Sequence, residues 1–482
     1  MKKLTTSILF TAMFFGALHL KAQQKSFIQV NASKALSLLT FLEASGEAHK
    51  RYRAYHEYIN EHLGSDAEFQ QLAKDYEDIY LNYLITRKEF PKSRYHHRVS
   101  VNDLIWSAAA NATNLDDFNV RITGLLPYIS QNTLYQTLKR AEPYYDKLVW
   151  NPAQASIEDI QKKLAPYLPE FERIFFKTNT FYQSGWTKDL PFKLAVYPIP
   201  LANGNTTATA KGNALICGFL AKRKNPHKDI LGVIIHEICH TLYAEQPARL
   251  QRDIQQWFDE NPSAFAPIAN SYLDEALATV LGNGWANKEL TGEMDPNPWY
   301  NNRYIDGFAR ALYPLTEEYL KADKPIDKAY IDQSVVLFAN TFPKADKTPA
   351  TLLSEINFYL NAEKEEDIDR IEGTLYKYFN PFPHEYLIPI DDPSSIESFA
   401  VKKLTKLIIV DSKNTPTLAL IDRHFPDQKV EAKANSIFSF RDESSQSAVV
   451  IINVKNQGML EKALIRLSKQ AYLEFGEYII IQ

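Results

Sequence analysis

The chain has 482 residues, 45% of them hydrophobic, and a formal net charge of −4. Mild acidity without a Lys/Arg-rich stripe excludes a nucleic-acid footprint, and two cysteines exclude a disulfide framework. Beyond the N-terminus no stretch is apolar and long enough to span a bilayer, and the length predicts about three structural units.

Met1-Lys2-Lys3, an apolar run from Leu4 to Leu20 and the small Ala22 have the pattern of a secretory signal peptide, residues 1–22. No cysteine near the cut could take a lipid. The expected mature protein is secreted or periplasmic, has no stable membrane insertion, and carries 51 basic against 58 acidic side chains, a balance of −7.

Residues 23–185 read as a helical N-terminal region. Apolar residues recur at helical spacing over Ala32–Ser45, Ala67–Lys88, Leu134–Glu142 and Ile157–Thr178. No repeat of about 34 residues keeps its phase. His96-His97 are adjacent and cannot share a helix face, which places them on a loop or at the surface.

A second unit, residues 186–322, opens with two strand-like runs, Pro191–Ile199 and Asn213–Phe219. A polar, Gly-containing loop from Ala202 to Gly212 separates them. A helix follows, starting near Asn225-Pro226 and ended by Gln246-Pro247. Leu231, Ile234, Ile235, Ile238 and Leu242 give it a broad apolar surface.

This helix carries His236-Glu237-Ile238-Cys239-His240. Histidines four apart lie about 40° from each other around the axis, so both can reach one Zn²⁺ at roughly 2.0–2.1 Å. Glu237 is turned off that face by about 100° and reaches a water on the metal, as a general base does. Cys239 points away and reads as a core thiol; a bridge to Cys217 is conceivable from strand to helix.

A catalytic zinc needs a third protein ligand. The best candidate segment is Ser271–Thr279, with Asp274 and Glu275, on the next helix, where Leu273, Ala276, Leu277, Val280 and Leu281 keep helical spacing and Gly282 acts as the stop. Asp274 is the rival ligand, or a hydrogen-bond partner for a liganding ring. With HExxH on one helix and Asp274-Glu275-Ala276 on the next, residues 190–320 resemble the gluzincin branch of the zincin metallopeptidases. Tyr243 and Gln246 stand where a metzincin needs Gly and His, and Thr279 stands where gluzincins often place a ligand-orienting aspartate. The resemblance implies His236, His240 and Glu275 as ligands of one zinc per chain, and Glu237 as the base. In zincins an edge strand before the metal helix pairs with the substrate backbone, a role expected of Asn213–Phe219 unless that run is an internal strand.

Attack on a carbonyl leaves negative charge on its oxygen, which needs a donor besides the metal. Asn302–Tyr313 reads as a helix with polar residues on one side, and Tyr304 is the chosen catalytic donor, with Tyr300 and Tyr313 behind it. Residues 323–395 read as a helical region packing on this core. After Asp391-Asp392-Pro393 the texture changes. Leu407–Val410, Ser436–Phe440, Val449–Asn453 and Tyr478–Ile481 read as strands and Gly458–Lys469 as a helix, making residues 396–482 a small α/β domain.

The expected fold is therefore α+β and predominantly helical, with a zincin-like catalytic core between a helical N-terminal region and the small α/β domain. The expected function is a secreted zinc-dependent peptidase acting on peptide or protein substrates, with no nucleic-acid partner; the partner of the C-terminal domain is unknown. The alternatives are a non-catalytic binding protein on a retained zincin scaffold and a zinc hydrolase of non-peptide substrates.

Overall fold

The computed structural model describes residues 26–46, 52–204, 208–362 and 364–482; the expected signal peptide lies outside them. The chain is predominantly helical, with strands gathered into three sheets. In chain order the first six strands are β1 (Ile28–Asn31), β2 (Leu84–Thr86), β3 (Arg98–Ser100), β4 (Phe192–Ile199), β5 (Ala208–Lys211) and β6 (Ala214–Leu220). β2 and β3 pair as a separate antiparallel ribbon. The others form one sheet in the order β1-β4-β6-β5, parallel except for β5, which runs antiparallel to β6.

This sheet is covered on both faces, which is why β4 and β6 are almost continuously apolar. Leu194, Val196, Leu215, Cys217 and Phe219 point into the core shared with the metal helix. Ala195, Tyr197, Ile199, Ala214 and Ile216 point into the core of the N-terminal helices, among them Lys34–Ser45, Val101–Asn111 and Tyr128–Tyr145. The expected boundary at residue 185 therefore does not divide two folding units. The N-terminal helices form one layer of the same three-layer body, and β1, only four residues long and about 160 residues from its partner, adds an outer strand.

Two expected helices are shorter than their periodicity. Ala67–Lys88 stops at Glu77, because Leu84-Ile85-Thr86 are drawn into the ribbon. Ile157–Thr178 breaks at Ala165–Tyr167, where Pro166 cannot donate to the helix ladder.

Six further strands, β7 (Glu355–Leu360), β8 (Phe382–Leu387), β9 (Thr405–Asp411), β10 (Ser436–Asp442), β11 (Ser447–Val454) and β12 (Tyr478–Ile480), form one mixed sheet in the order β12-β10-β11-β9-β7-β8. Helices Glu365–Leu375 and Gln457–Ser468 cover one face and Thr415–His424 the other. The four strands expected after residue 396 are present. The boundary expected near residues 391–395 is not, since β7 and β8, read as part of a helical region, belong to the same sheet and the unit begins near residue 350. It is fastened to the core: Lys403 Nζ donates to the carbonyls of Asp259 and Asn261 (2.6 Å to the latter) at the end of helix Ala248–Glu260, a favourable place for a cation.

Candidate metal centre

The metal helix runs from His227 to Ala244, directly after β6, and buries Ile230, Ile234, Ile235, Ile238, Cys239 and Leu242. Cys217 and Cys239 are both free and buried, so the conceivable bridge does not form. Helix Ala266–Ala278 packs alongside and continues through a π-helical stretch, Thr279–Ala286, into Asn287–Thr291. Gly292, at φ +83°, ends it. Gly282 is thus no helix stop. A Cβ there would lie 2.6 Å from the His236 backbone nitrogen, and its absence lets the two helices touch where the first imidazole is rooted.

That contact brings together the residues expected to bind metal. One donor atom from each of His236, His240 and Glu275 lies within 4.8 Å of the others, a group able to hold a metal ion. The two Nε2 atoms are 3.2 Å apart, and each is 3.6 Å from a Glu275 carboxylate oxygen. Two donors at about 2.05 Å from a tetrahedral ion would be about 3.3 Å apart, so the spacing fits. Glu275 Oε2 is buried without a hydrogen-bond partner, an arrangement that is costly unless a cation meets it. Burial opposes charge on Glu275, but the close approach of the His236 ring and the charges of both imidazoles hold its pKa below the ordinary value.

Asp274, the rival ligand, instead meets His240 Nδ1 at 3.0 Å. That bond turns the Nε2 lone pair toward His236 and Glu275. Burial works against charge on His240, yet Asp274, then Glu275 and Glu237, hold its pKa up at about 9. Thr279 Oγ1 and His236 Nδ1 are each buried without a hydrogen-bond partner, so Thr279 does not take the ligand-orienting role of an aspartate. Glu237 lines the cleft beside the group.

The three tyrosines separate. Tyr300 stacks on His236 (ring centroids 5.9 Å, 23°), and burial together with the Glu275 carboxylate pushes its phenol pKa up. Tyr304 also lines the cleft, with its hydroxyl accepting from Arg303 Nη2 and its ring packed against Tyr272 and Phe342. Tyr313 bonds Glu317 and Lys288 and is not among the lining residues.

The cleft over the metal group holds about 1150 Å³. Its walls come from three parts of the chain: the core, the 93–95 segment before β3, and residues 350–382 of the C-terminal unit. β6 is internal, paired with β4 on one side and β5 on the other, so it is not the free edge expected for Asn213–Phe219. The edge is β5, which reads as loop because its Thr and Ala are weakly apolar. The signal that marks it is Gly212-Asn213, a two-residue hairpin turn with Gly212 at φ +58°. His96 and His97 are also less exposed than expected. His97 is 8% exposed and bonds Phe90 O, and His96 pairs with Glu245 at 3.1 Å beyond the metal helix.

No family model, curated protein or solved structure matches the chain.

Proposed function

We propose that the protein is a zinc-dependent peptidase with a gluzincin-like site, in which His236, His240 and Glu275 hold the ion and Glu237 is the general base. The observation that carries this is the convergence of two imidazole nitrogens and a carboxylate from two helices at one point, beside a second carboxylate, that of Glu237, in an open cleft. The mixed nitrogen and oxygen donors suit zinc better than calcium or magnesium, which prefer all-oxygen cages. Bound zinc supplies Lewis acidity toward the carbonyl and the attacking water.

The rest is done by this chain. Asp274 orients His240 through Nδ1. Glu237 takes the proton that water loses on attack and passes it to the departing amine nitrogen. Tyr300, beside the ligand group, and Tyr304, further along the cleft, are the hydroxyl donors available to the carbonyl oxygen as charge builds on it. The outer edge of β5 offers backbone groups to an extended substrate.

Metal analysis and peptide hydrolysis on the wild type and on Glu237→Gln test this. About one zinc per chain in both, with hydrolysis only in the wild type, is expected. Zinc in both with no hydrolysis in either would favour a non-catalytic scaffold or a non-peptide substrate, and no zinc in either would end the proposal.

A further inference from the structure

Among the described residues three Lys or Arg side chains line the cleft, Arg94, Lys211 and Arg303. Lys211 is paired with Asp103 at 2.6 Å, and Arg303 is exposed and rests on Tyr304. Arg94 differs from both. It is half-buried, and among the described residues no carboxylate lies within ion-pairing distance of it. It is nevertheless held in place. Its Nη2 donates to Gln246 Oε1 at 2.8 Å, and its guanidinium lies 3.7 Å over the Tyr243 ring. Gln246 is itself 1% exposed and donates to Tyr182 O at 2.8 Å. Tyr243, its pKa pushed up to about 12 by burial, is neutral at pH 7.

The segment carrying Arg94 is fastened as firmly. Residues 87–97 bond across the base of the ribbon (Arg87 N to His97 O, 2.9 Å) and reach outward, with Ser93 Oγ on Gln255, Glu89 O on Arg252 and Lys92 paired with Glu385 of β8. A guanidinium fixed by two neutral groups, half-desolvated and with no carboxylate at ion-pairing distance, is an unfavourable arrangement for the fold alone. It is a suitable one for a planar anionic group that arrives with a ligand.

Tyr243 lies three residues beyond His240, about 4.5 Å further along the helix axis. The guanidinium is therefore on the order of 10 Å from the metal group, the reach of about three extended residues. We infer that Arg94 is a specificity residue that selects peptides bearing a carboxylate within about three residues of the bond cut, whether an acidic side chain or a free C-terminus. This rests on the peptidase reading and adds the substrate class to it.

The test uses the metal-loaded protein and a peptide it cleaves, in matched pairs. One series exchanges Glu for Gln at each position within three residues of the bond, and another exchanges the C-terminal acid for the amide. A preference of about 10- to 100-fold in kcat/KM for the carboxylate is expected in one series, and which series shows it names the source. In Arg94→Ala that ratio should fall to near one, and Arg94→Lys, which keeps the charge without the fork, should retain part of it. No preference in the wild type, or the same ratio in Arg94→Ala, would overturn the assignment; the wild-type comparison needs no variant to fold. If no peptide is cleaved the peptidase reading fails, and binding of the same pairs by calorimetry then decides Arg94. Absence of binding, or equal binding of both members, counts against it.

Discussion

Gly282→Ala probes the contact on which the metal group is built. At an ordinary helical position this change stabilises by about 1 kcal/mol. Here the new Cβ would lie 2.6 Å from the His236 nitrogen and 2.7 Å from its Cα, 0.8 Å short of the 3.4 Å at which ordinary contact begins. Both are backbone atoms, so relief requires the metal helix and the Thr279–Ala286 stretch to part. Overpacking of this kind costs about 1–3 kcal/mol, leaving a net loss of about 0–2 kcal/mol. The larger effect falls on the metal. Ligand distances tolerate only about 0.2 Å, and a shift of several tenths at the root of His236 should weaken zinc binding at least about tenfold, or about 1.4 kcal/mol. The assay is a zinc titration in competition with a chromophoric chelator, together with melting of the chelator-treated protein. Gly373→Ala is the control: it lies in helix Glu365–Leu375 with nothing within 4 Å of the new Cβ, and should stabilise without touching zinc affinity. A Gly282→Ala protein that melts at or above the wild type and binds zinc within threefold of it would show that the close approach does not set the ligand geometry.

Asp274→Asn should change pH dependence. A folded pKa of about 9 for His240 against an ordinary 6.5 means that the metal-free native state holds this proton more tightly than the unfolded chain. The stability so gained is complete below about pH 6.5 and is lost as pH rises through about 9. The variant should lose most of that slope in denaturation of the chelator-treated protein, and should bind zinc about 10- to 100-fold more weakly at high pH; unchanged slopes and affinity would refute the orienting role. Ala210→Pro probes the edge strand. In a two-residue hairpin Lys211 and Ala214 form the hydrogen-bonded pair, so by alternation Ala210 turns its N–H away from β6, toward the outer edge. Proline there should leave the fold intact and raise KM several-fold, and unaltered KM in a folded variant would remove β5 from substrate binding.

What the sequence determined by itself is local. His236, Glu237 and His240 share one helix, so their relation follows from 3.6 residues per turn, and the flanking isoleucines and leucines say which side is buried. Asp274 and Glu275 are legible as candidates because their helix keeps helical spacing, with Glu275 preferred through the resemblance alone, and the strands β4, β6, β9, β10 and β11 because they contain nearly continuous apolar runs. The tertiary structure decided whatever depends on a partner far away in the chain. β1, β7 and β8 became strands because sheets accept them as edge or neighbour, and this erased the boundaries drawn at 185 and near 391–395. Asp274 became the partner of His240 rather than a ligand because the packing angle of two helices carries its carboxylate to Nδ1 instead of Nε2. Gly282 reads as punctuation in one dimension and is a point of contact in three. Arg94 lies 142 residues before His236, and nothing in its neighbourhood marks it. Only the fold places its charge in the cleft, because guanidinium chemistry is set by what surrounds it in space, not along the chain.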